Sequence, residues 1–249
     1  MTIPASTQNP VHPPAHLAER IASWDASSLN RDLDTQGYAL IENLLSEEMC
    51  ADMVGIYEDD ARFRRRVIMS RHGYGQGEYK YFAYPLPGLV ASLRNALYPV
   101  LAETANRWNA SLGIDTRYPA THAAFLKRCH EAGQCRPTAL VLRYGPGDYN
   151  CLHQDIYGDC LFPLQVAVLL SQPGRDFTGG EFLLVTQRPR RQSWAEVVPL
   201  ERGTAVIFPV HQRPVPGARG AVRANMRHGV SRIRSGDRHT LGIIFHDAT

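Results

Sequence analysis

Long apolar runs are missing from this chain of 249 residues, and cysteine is scarce. Because no stretch of about 18 apolar residues occurs, the sequence predicts no transmembrane helix. The five cysteines are an odd number without a CxxC pair, which argues against a disulfide framework and predicts reduced thiols. A zinc site at Cys129, His130 and Cys135 is an alternative, although their spacing matches no zinc template.

The first fourteen residues also lack an apolar run and are rich in proline. We expect residues 1–14 to form a disordered tail, and neither a signal peptide nor a membrane anchor. The chain has 44% hydrophobic and 20% charged residues, as is usual for soluble globular proteins. Its length suits one well-packed domain, which we place at residues 15–249. The expected protein is soluble and cytoplasmic, with no membrane partner.

Helical patterns come first along the chain and strand patterns follow. Residues 15–136 are predicted to be mainly helical, with a strand over 37–45 and with helical patterns in four places: Leu17 to about Asp34, from Ser46 onward, 88–109 and 121–132. In the first of these, Ser27 and Ser28 offer an N-cap for a second short helix. From residue 137 to 249, short apolar segments separated by Gly and Pro predict eight strands: TALVLRYG, DYNCLHQD, PLQVAVLLS, GEFLLVT, AEVVPL, GTAVIFPV, HGVSRI and HTLGIIFH. This order predicts an α+β fold in which N-terminal helices buttress a barrel or sandwich.

The segment His153-Gln154-Asp155 is the first candidate for a metal site. Side chains at positions i and i+2 of a strand point to the same face, so His153 and Asp155 can reach one metal ion. His228 opens a later strand-like segment and is the preferred third ligand. Two histidines and one carboxylate form the facial triad that binds iron(II) and leaves coordination positions open. Three other histidines follow the HxD segment and remain alternative ligands: His211, His239 and His246.

An ordered set of residues resembles the prolyl 4-hydroxylase-like branch of the iron(II)/2-oxoglutarate-dependent dioxygenases: Tyr144, His153-x-Asp155, Gly179-Gly180-Glu181, Gly203, Phe208, His228 and Arg238. The similarity covers residues 137–247, and GYALIENLLSEEMC (residues 37–50) is similar to the usual approach to that fold. The resemblance implies a double-stranded β-helix (jelly-roll) core over residues 137–249. It also implies an oxidoreductase that uses iron(II), 2-oxoglutarate and O2.

The same resemblance assigns roles to single residues. His153, Asp155 and His228 would be the catalytic metal ligands. Arg238, ten positions after the distal histidine, would pair with the C5 carboxylate of 2-oxoglutarate, a role that suits the planar fork of a guanidinium. Tyr144 would donate a hydrogen bond to the same co-substrate, and Thr240 would add a hydroxyl. The implied cofactor site therefore consists of Arg238, Tyr144 and Thr240.

Residues 63–87 form a second region of interest, within a predicted loop from Arg62 to Pro87 that is rich in Arg, Gly and Tyr. This segment is similar to one in a bacterial oxygenase family sometimes labelled as acting on damaged DNA. Interleaved basic and aromatic side chains suit phosphate contacts and base stacking, which makes Arg71, Tyr79 and Tyr81 candidates for substrate contact. The same residues equally suit a rigid loop packed over the mouth of the barrel.

Positive charge is concentrated near the C-terminus. Between Arg188 and Arg238 there are eleven Arg and three acidic residues, which indicates either an anionic partner or a solvated rim of exposed strands. Three functions stay open at this point. They are hydroxylation of a protein side chain, amino acid or small metabolite, oxidative dealkylation of nucleic acid, and ligand binding by a catalytically silent β-barrel module.

Overall fold

The computed structural model describes residues 17–156 and 158–249, so the predicted tail over residues 1–14 lies outside the described residues. Two helices fill the first predicted helical region, as expected, but the cap of the second is Asp25, which accepts a hydrogen bond from the Ser27 backbone N–H, and not Ser27 or Ser28. Ser46 caps another by accepting one from Met49. Besides three short 3-10 helices, the described chain has α1 (Leu17–Ala22), α2 (Ala26–Thr35), α3 (Glu47–Gly55), α4 (Gly88–Ser111) and α5 (His122–Glu131).

Strands occupy most of the remaining chain. In the N-terminal half they are β1 (Ala39–Ile41), β2 (Phe63–Ile68), β3 (Gly75–Gln76) and β4 (Glu78–Phe82). In the C-terminal half they are β5 (Leu140–Tyr144), β6 (Tyr149–His153), β7 (Leu164–Leu169), β8 (Phe177–Gly179), β9 (Phe182–Gln187), β10 (Trp194–Val198), β11 (Ala205–Pro209), β12 (Gln212–Gly217), β13 (Gly220–Val230), β14 (Ile233–Gly236) and β15 (Arg238–Ile243).

These strands form two large antiparallel sheets. The major sheet has the order β1-β11-β7-β15-β5-β4-β2, and the minor sheet has the order β10-β9-β13-β6-β3 with β12 paired to β13. Strands β14 and β8 make a separate pair. The arrangement confirms the predicted α+β fold with a double-stranded β-helix (jelly-roll) core buttressed by N-terminal helices.

The major sheet is covered on both faces, which explains why β7, β11 and β15 are buried at every position. On one face, α4 packs Leu93, Leu97 and Leu101 into the largest apolar cluster, which also contains sheet residues such as Val166 and Leu241. The opposite face looks into the space between the two sheets, where a second cluster lies. Within residues 17–156 and 158–249, no helix is long and apolar enough to cross a membrane.

The segment from Arg62 to Pro87 is not the loop that the sequence predicts. Strands β2 and β4 extend the major sheet beyond β5, and β3 pairs with β6 of the minor sheet. Between β2 and β4 the chain passes very close to its neighbours: a Cβ on Gly75 would lie 2.3 Å from the Tyr149 carbonyl oxygen. Gly75 also has a φ of +125°, a conformation that side chains disfavour. The half expected to be mainly helical thus contributes four strands to the sheets.

A second difference concerns the proline-containing segment after His211, where none of the eight predicted strands lies. It contains β12, whose Pro214 and Pro216 pair with Arg223 and Ala221 of β13. Proline lacks a backbone N–H, but β12 lies at an edge of the minor sheet, where a missing donor is tolerated. As a result β13 begins at Gly220, and His228 lies near its end instead of opening a strand.

Candidate metal and co-substrate site

Neighbouring strands of the minor sheet bring together the three residues predicted to bind metal. His153 ends β6 and is the cross-strand partner of His228 on β13, and their ring centroids lie 4.1 Å apart. Asp155 follows two residues after His153. One potential ligand atom from each of the three side chains lies within 4.8 Å of the others. The geometry is therefore that of a candidate site for a single metal ion.

The two imidazoles point their Nε2 atoms toward the carboxylate. His153 Nε2 lies 3.5 Å from Asp155 Oδ1, and His228 Nε2 lies 3.3 Å from Asp155 Oδ2. On the other side of its ring, His153 Nδ1 lies 2.7 Å from the Cys151 carbonyl oxygen. Because a carbonyl only accepts, Nδ1 carries a proton, and this bond turns Nε2 toward the candidate metal position.

Charge favours a cation at this position. Burial opposes ionisation of Asp155, but its hydrogen bonds with His153 and His228 outweigh burial and hold the pKa of the carboxyl well below its usual range. Burial lowers the pKa of His228. A carboxylate beside a neutral imidazole is a donor set that suits iron(II).

Gln154, the central residue of the HxD segment, ties the metal-binding segments together. Its amide nitrogen donates to the Met226 carbonyl at 2.8 Å and to the His211 carbonyl at 3.2 Å. These bonds attach the chain just after β6 to β13 and to the segment between β11 and β12. From the sequence alone Gln154 is only a spacer between two ligands.

The alternative third ligands lie elsewhere. His211 contributes its carbonyl oxygen to the hydrogen bond with Gln154, and the ring of His239 packs edge-on against Tyr57 with a centroid distance of 5.8 Å. His246 Nδ1 accepts a hydrogen bond from the Phe162 N–H at 3.3 Å. Among the described residues, the one group of three or more potential metal ligands is His153, Asp155 and His228.

The zinc alternative finds no support in the geometry of the described residues. His130 Nε2 lies 2.9 Å from the buried Asp247 carboxylate, while Cys129 is buried and Cys135 is exposed. All five cysteines are free, in agreement with the predicted reduced thiols.

Gln165 is a residue of the candidate site that the sequence interpretation missed. It lies on β7, is 3% exposed, and donates its amide N–H to Asp155 Oδ2 at 3.0 Å. The same nitrogen lies 3.4 Å from His228 Nε2. The sequence contained one sign of this role, because Gln165 is a polar residue in the middle of the apolar run PLQVAVLLS. Through this bond Gln165 positions the carboxylate of Asp155.

We expect Gln165→Leu to weaken the affinity for a divalent metal by about 10- to 100-fold, because the carboxylate loses its orienting donor. Titration with cobalt(II), followed by its visible spectrum, measures this directly. Gln212→Leu is a matched control, since it removes another side-chain amide hydrogen bond of 3.0 Å, to Asn225. Unchanged cobalt affinity in Gln165→Leu would show that Gln165 has no positioning role.

Arg238 is a buried cation without an acidic partner. Its side chain is 1% exposed, and its Nη1 donates to Thr240 Oγ1 at 2.6 Å. Nε has no hydrogen-bond partner, and among the described residues no carboxylate forms an ion pair with the guanidinium. Burial lowers its pKa to about 10, so Arg238 stays charged at neutral pH. An unpaired buried charge is costly, and a bound anion would relieve that cost.

Arg238 and the three candidate ligands line one cavity of about 280 Å³ between the sheets. Tyr144 and Thr240 line it too, and Tyr144 is fully buried and accepts a hydrogen bond from Asn150 at 3.2 Å. All six residues predicted to bind metal or co-substrate therefore surround the same space. Apolar walls complete it, among them Phe182, Phe208 and Val230.

The predicted substrate residues divide into two groups. Tyr79 and Tyr81 line the cavity with their rings 5.3 Å apart in an edge-to-face arrangement, and we call this pair the tyrosine wall. Arg71 is exposed in a 3-10 helix and does not line the cavity. Tyr74, half-exposed and stacked on His72, lines the cavity in its place.

Solved structures share this architecture at low sequence identity. A prolyl-4-hydroxylase from Pseudomonas putida superposes with a TM-score of 0.53 at 14% identity, covering 88% of this chain and 96% of that one. A Trichoplax adhaerens prolyl hydroxylase in complex with a hypoxia inducible factor peptide fragment gives 0.56 at 13% identity, covering 95% of both chains. The fold is therefore that of the 2-oxoglutarate-Fe(II) oxygenases.

Sequence comparison identifies the family itself. Residues 77–248 match the model of the Oxygenase-NA family, described as an oxygenase catalysing oxidative methylation of damaged DNA. Two uncharacterized proteins, from two strains of Mycobacterium tuberculosis, are each 49% identical over 190 residues, covering 74% of this chain and 82% of theirs. The chain belongs to the Oxygenase-NA family, which confirms the predicted resemblance and the assignment as an oxygenase.

Proposed function

We propose that this protein is an iron(II)- and 2-oxoglutarate-dependent dioxygenase, in which His153, Asp155 and His228 hold the iron. Arg238, with Thr240 and Tyr144, would hold the co-substrate. The observation that carries this proposal is the buried, unpaired guanidinium of Arg238 in the same cavity as two imidazoles and a carboxylate. A dicarboxylate that also chelates a metal can bind the guanidinium of Arg238 with one carboxylate and the metal ion with its other end.

Iron(II) with 2-oxoglutarate and O2 supplies the oxidising chemistry, which couples decarboxylation of the co-substrate to succinate with oxidation of a substrate C–H bond. The protein's own residues bind and orient. Thr240 Oγ1 accepts from Arg238 Nη1 and so fixes the direction of the guanidinium fork. The Cys151 carbonyl holds the tautomer of His153. Phe182 and Phe208 form apolar walls that exclude water from the cavity.

The first test is spectroscopic. Purified protein, kept free of oxygen and mixed with iron(II) and 2-oxoglutarate, is expected to show a weak visible charge-transfer band and to form succinate when air is admitted. Both signals are expected to be lost in His228→Ala. If neither signal appears in the unmodified protein while metal is bound, the proposal fails and the barrel is a catalytically silent binding module.

The substrate we propose is a protein side chain, an amino acid or a small metabolite that is hydroxylated next to the tyrosine wall. A nucleic acid undergoing oxidative dealkylation is the second candidate, and two observations favour it. The family description concerns damaged DNA. In addition, Tyr74, Tyr79 and Tyr81 present three aromatic rings at one cavity, an arrangement that suits stacking on a base. Parallel succinate assays with alkylated oligonucleotides and with peptides decide between the candidates.

A further inference from the structure

Three arginines gather beside the tyrosine wall, and we call them the arginine cluster (Arg64, Arg65 and Arg136). The Arg64 guanidinium carbon lies 4.6 Å from the centre of the Tyr81 ring, and Arg64 Nε donates to the Pro137 carbonyl at 2.8 Å. Arg136 immediately precedes Pro137. Arg65 is the cross-strand partner of Tyr81. An irregularity in β2 between Phe63 and Arg65 brings two consecutive arginines to the same side of the sheet.

Within residues 17–156 and 158–249, no carboxylate forms an ion pair with the arginine cluster. Partial burial, and then the charges of Arg136 and Arg65, lower the pKa of Arg64. Asp247 also acts on Arg64, but its carboxylate is buried in hydrogen bonds with Arg94, Tyr84 and His130. The cluster therefore carries uncompensated positive charge.

Cations on the other face of the same hairpin behave differently. Arg66 pairs with Glu78 at 2.9 Å, and Lys80 pairs with Asp60 at 2.6 Å. Each of these two cations has a carboxylate partner, whereas the arginine cluster, on the face that carries the tyrosine wall, has none among the described residues. The contrast indicates that positive charge beside the cavity is kept available for a ligand.

A straight row of cross-strand partners runs from the arginine cluster across the major sheet, along one wall of the cavity. It runs from Arg65 to Tyr81, Leu140, Gly242 and Ala167, across β2, β4, β5, β15 and β7. Tyr81, Leu140, Gly242 and Ala167 line the cavity. Four strand spacings correspond to about 19 Å. A substrate bound at the cluster therefore has the cavity-lining residues of this row beside it.

We propose that the arginine cluster binds a phosphate group of the substrate, while an uncharged planar group attached to that phosphate extends along the tyrosine wall toward the metal site. This inference rests on the proposed function, because it takes the cavity as the place of reaction. Three guanidiniums offer several forked donors, which match the several oxygens of a phosphate better than the two of a carboxylate. Aromatic rings beside guanidiniums are the arrangement that binds nucleotides without reading their sequence.

The test measures binding of a fluorescein-labelled single-stranded (dT)12 to the full chain by fluorescence anisotropy at several salt concentrations. We expect Arg64→Gln/Arg65→Gln/Arg136→Gln to bind at least about tenfold more weakly. Its slope of log K against log salt should be shallower by about two, as for three lost phosphate contacts on a single strand. Competition by deoxyadenosine monophosphate then shows which kind of molecule supplies the phosphate. If the mononucleotide displaces (dT)12 as effectively as an unlabelled strand with the same phosphate concentration, the substrate is a mononucleotide; if it displaces (dT)12 weakly, the substrate is a strand.

The matched control is Arg191→Gln/Arg219→Gln/Arg223→Gln, which removes the same charge from exposed positions of the C-terminal basic region. We expect it to bind (dT)12 within about twofold of the unmodified protein. Equal weakening in both triple variants, or equal competition by polyglutamate, would refute a phosphate site at the cluster. Arg65→Gln alone covers the case of a misfolded triple variant, because the Arg65 side chain is exposed and makes no hydrogen bond or ion pair in the described structure.

The charge-transfer band with iron(II) and 2-oxoglutarate is recorded for the same preparations. The inference would be overturned if the cluster variant binds (dT)12 as well as the unmodified protein does. If both proteins also show the band, the proposed function stays intact. Absence of the band in the unmodified protein would instead overturn the proposed function, whatever the oligonucleotide does.

Discussion

An Asp155→Ala protein is expected to lose stable iron(II) binding and to form no measurable succinate. Asp155 is the one carboxylate of the candidate triad, and it lies 3.5 and 3.3 Å from the two imidazole nitrogens. Two imidazoles alone lack the charge and the third donor that iron(II) requires in this kind of site. We expect turnover to fall by more than about a thousandfold, because the metal that carries the reaction is lost.

The measurements are metal content after dialysis and succinate formation under saturating iron and 2-oxoglutarate. Asp159→Ala is the matched control, since Asp159 is an exposed carboxylate only four residues away. It is expected to retain both properties. Normal iron content and turnover in Asp155→Ala would mean that the triad has been assigned to the wrong residues.

The second large effect is expected at Arg238. Replacing Arg238 by Met should raise the dissociation constant for 2-oxoglutarate at least about thirtyfold, since loss of one partner of a buried charge pair costs about 2 kcal/mol or more. Iron binding should persist, because Arg238 is not among the metal ligands. Without co-substrate, the variant should be at least as resistant to heat as the unmodified protein, because an unpaired buried charge has been removed.

Arg213 provides the control, because it is as deeply buried as Arg238 and likewise has an Nε without a partner, but both of its Nη atoms bond to the backbone of the fold. Its guanidinium donates to the Asp34 carbonyl at 2.8 Å and to the Thr35 carbonyl at 3.3 Å, at the end of α2. Arg213→Met should lower the free energy of unfolding by about 2 kcal/mol and leave 2-oxoglutarate affinity unchanged. If Arg238→Met binds 2-oxoglutarate normally, the co-substrate anchor is another residue.

Much of the core was predictable because its strands are apolar at nearly every position. Segments such as PLQVAVLLS and GTAVIFPV have no polar face, and the structure buries all of β7 and β11. The HxD spacing also brought His153 and Asp155 together as predicted, although β6 ends at His153 and Asp155 lies two residues beyond the strand. The sequence also favoured His228 among four later histidines, because it opens a strand-like segment, but its pairing with His153 across β13 and β6 depends on sheet register, which the sequence does not give.

The β2–β4 hairpin was not predictable from composition, for a physical reason. Its two faces have different polar environments: Arg66 and Lys80 are satisfied by carboxylates on one side, while Val67 and Tyr81 are buried on the other. Those carboxylates, Glu78 and Asp60, become partners only when the hairpin has formed. The sequence of this segment therefore looks like a charged, glycine-rich loop, although in the fold its charges are paired and its glycines allow close backbone contacts.

Strand β3 gives the molecule a property beyond its contribution of two residues to a sheet. It lies between β2 and β4, which belong to the major sheet, yet it pairs with Tyr149 and Asn150 at the start of β6 in the minor sheet, the strand that ends at His153. One continuous piece of backbone thus spans the gap between the sheets at the entrance of the cavity. Because Tyr74 on this crossing segment lines the cavity while His153, His228 and Arg238 lie on other strands, a substitution at Tyr74 reshapes the cavity wall without changing the strands that carry those three residues.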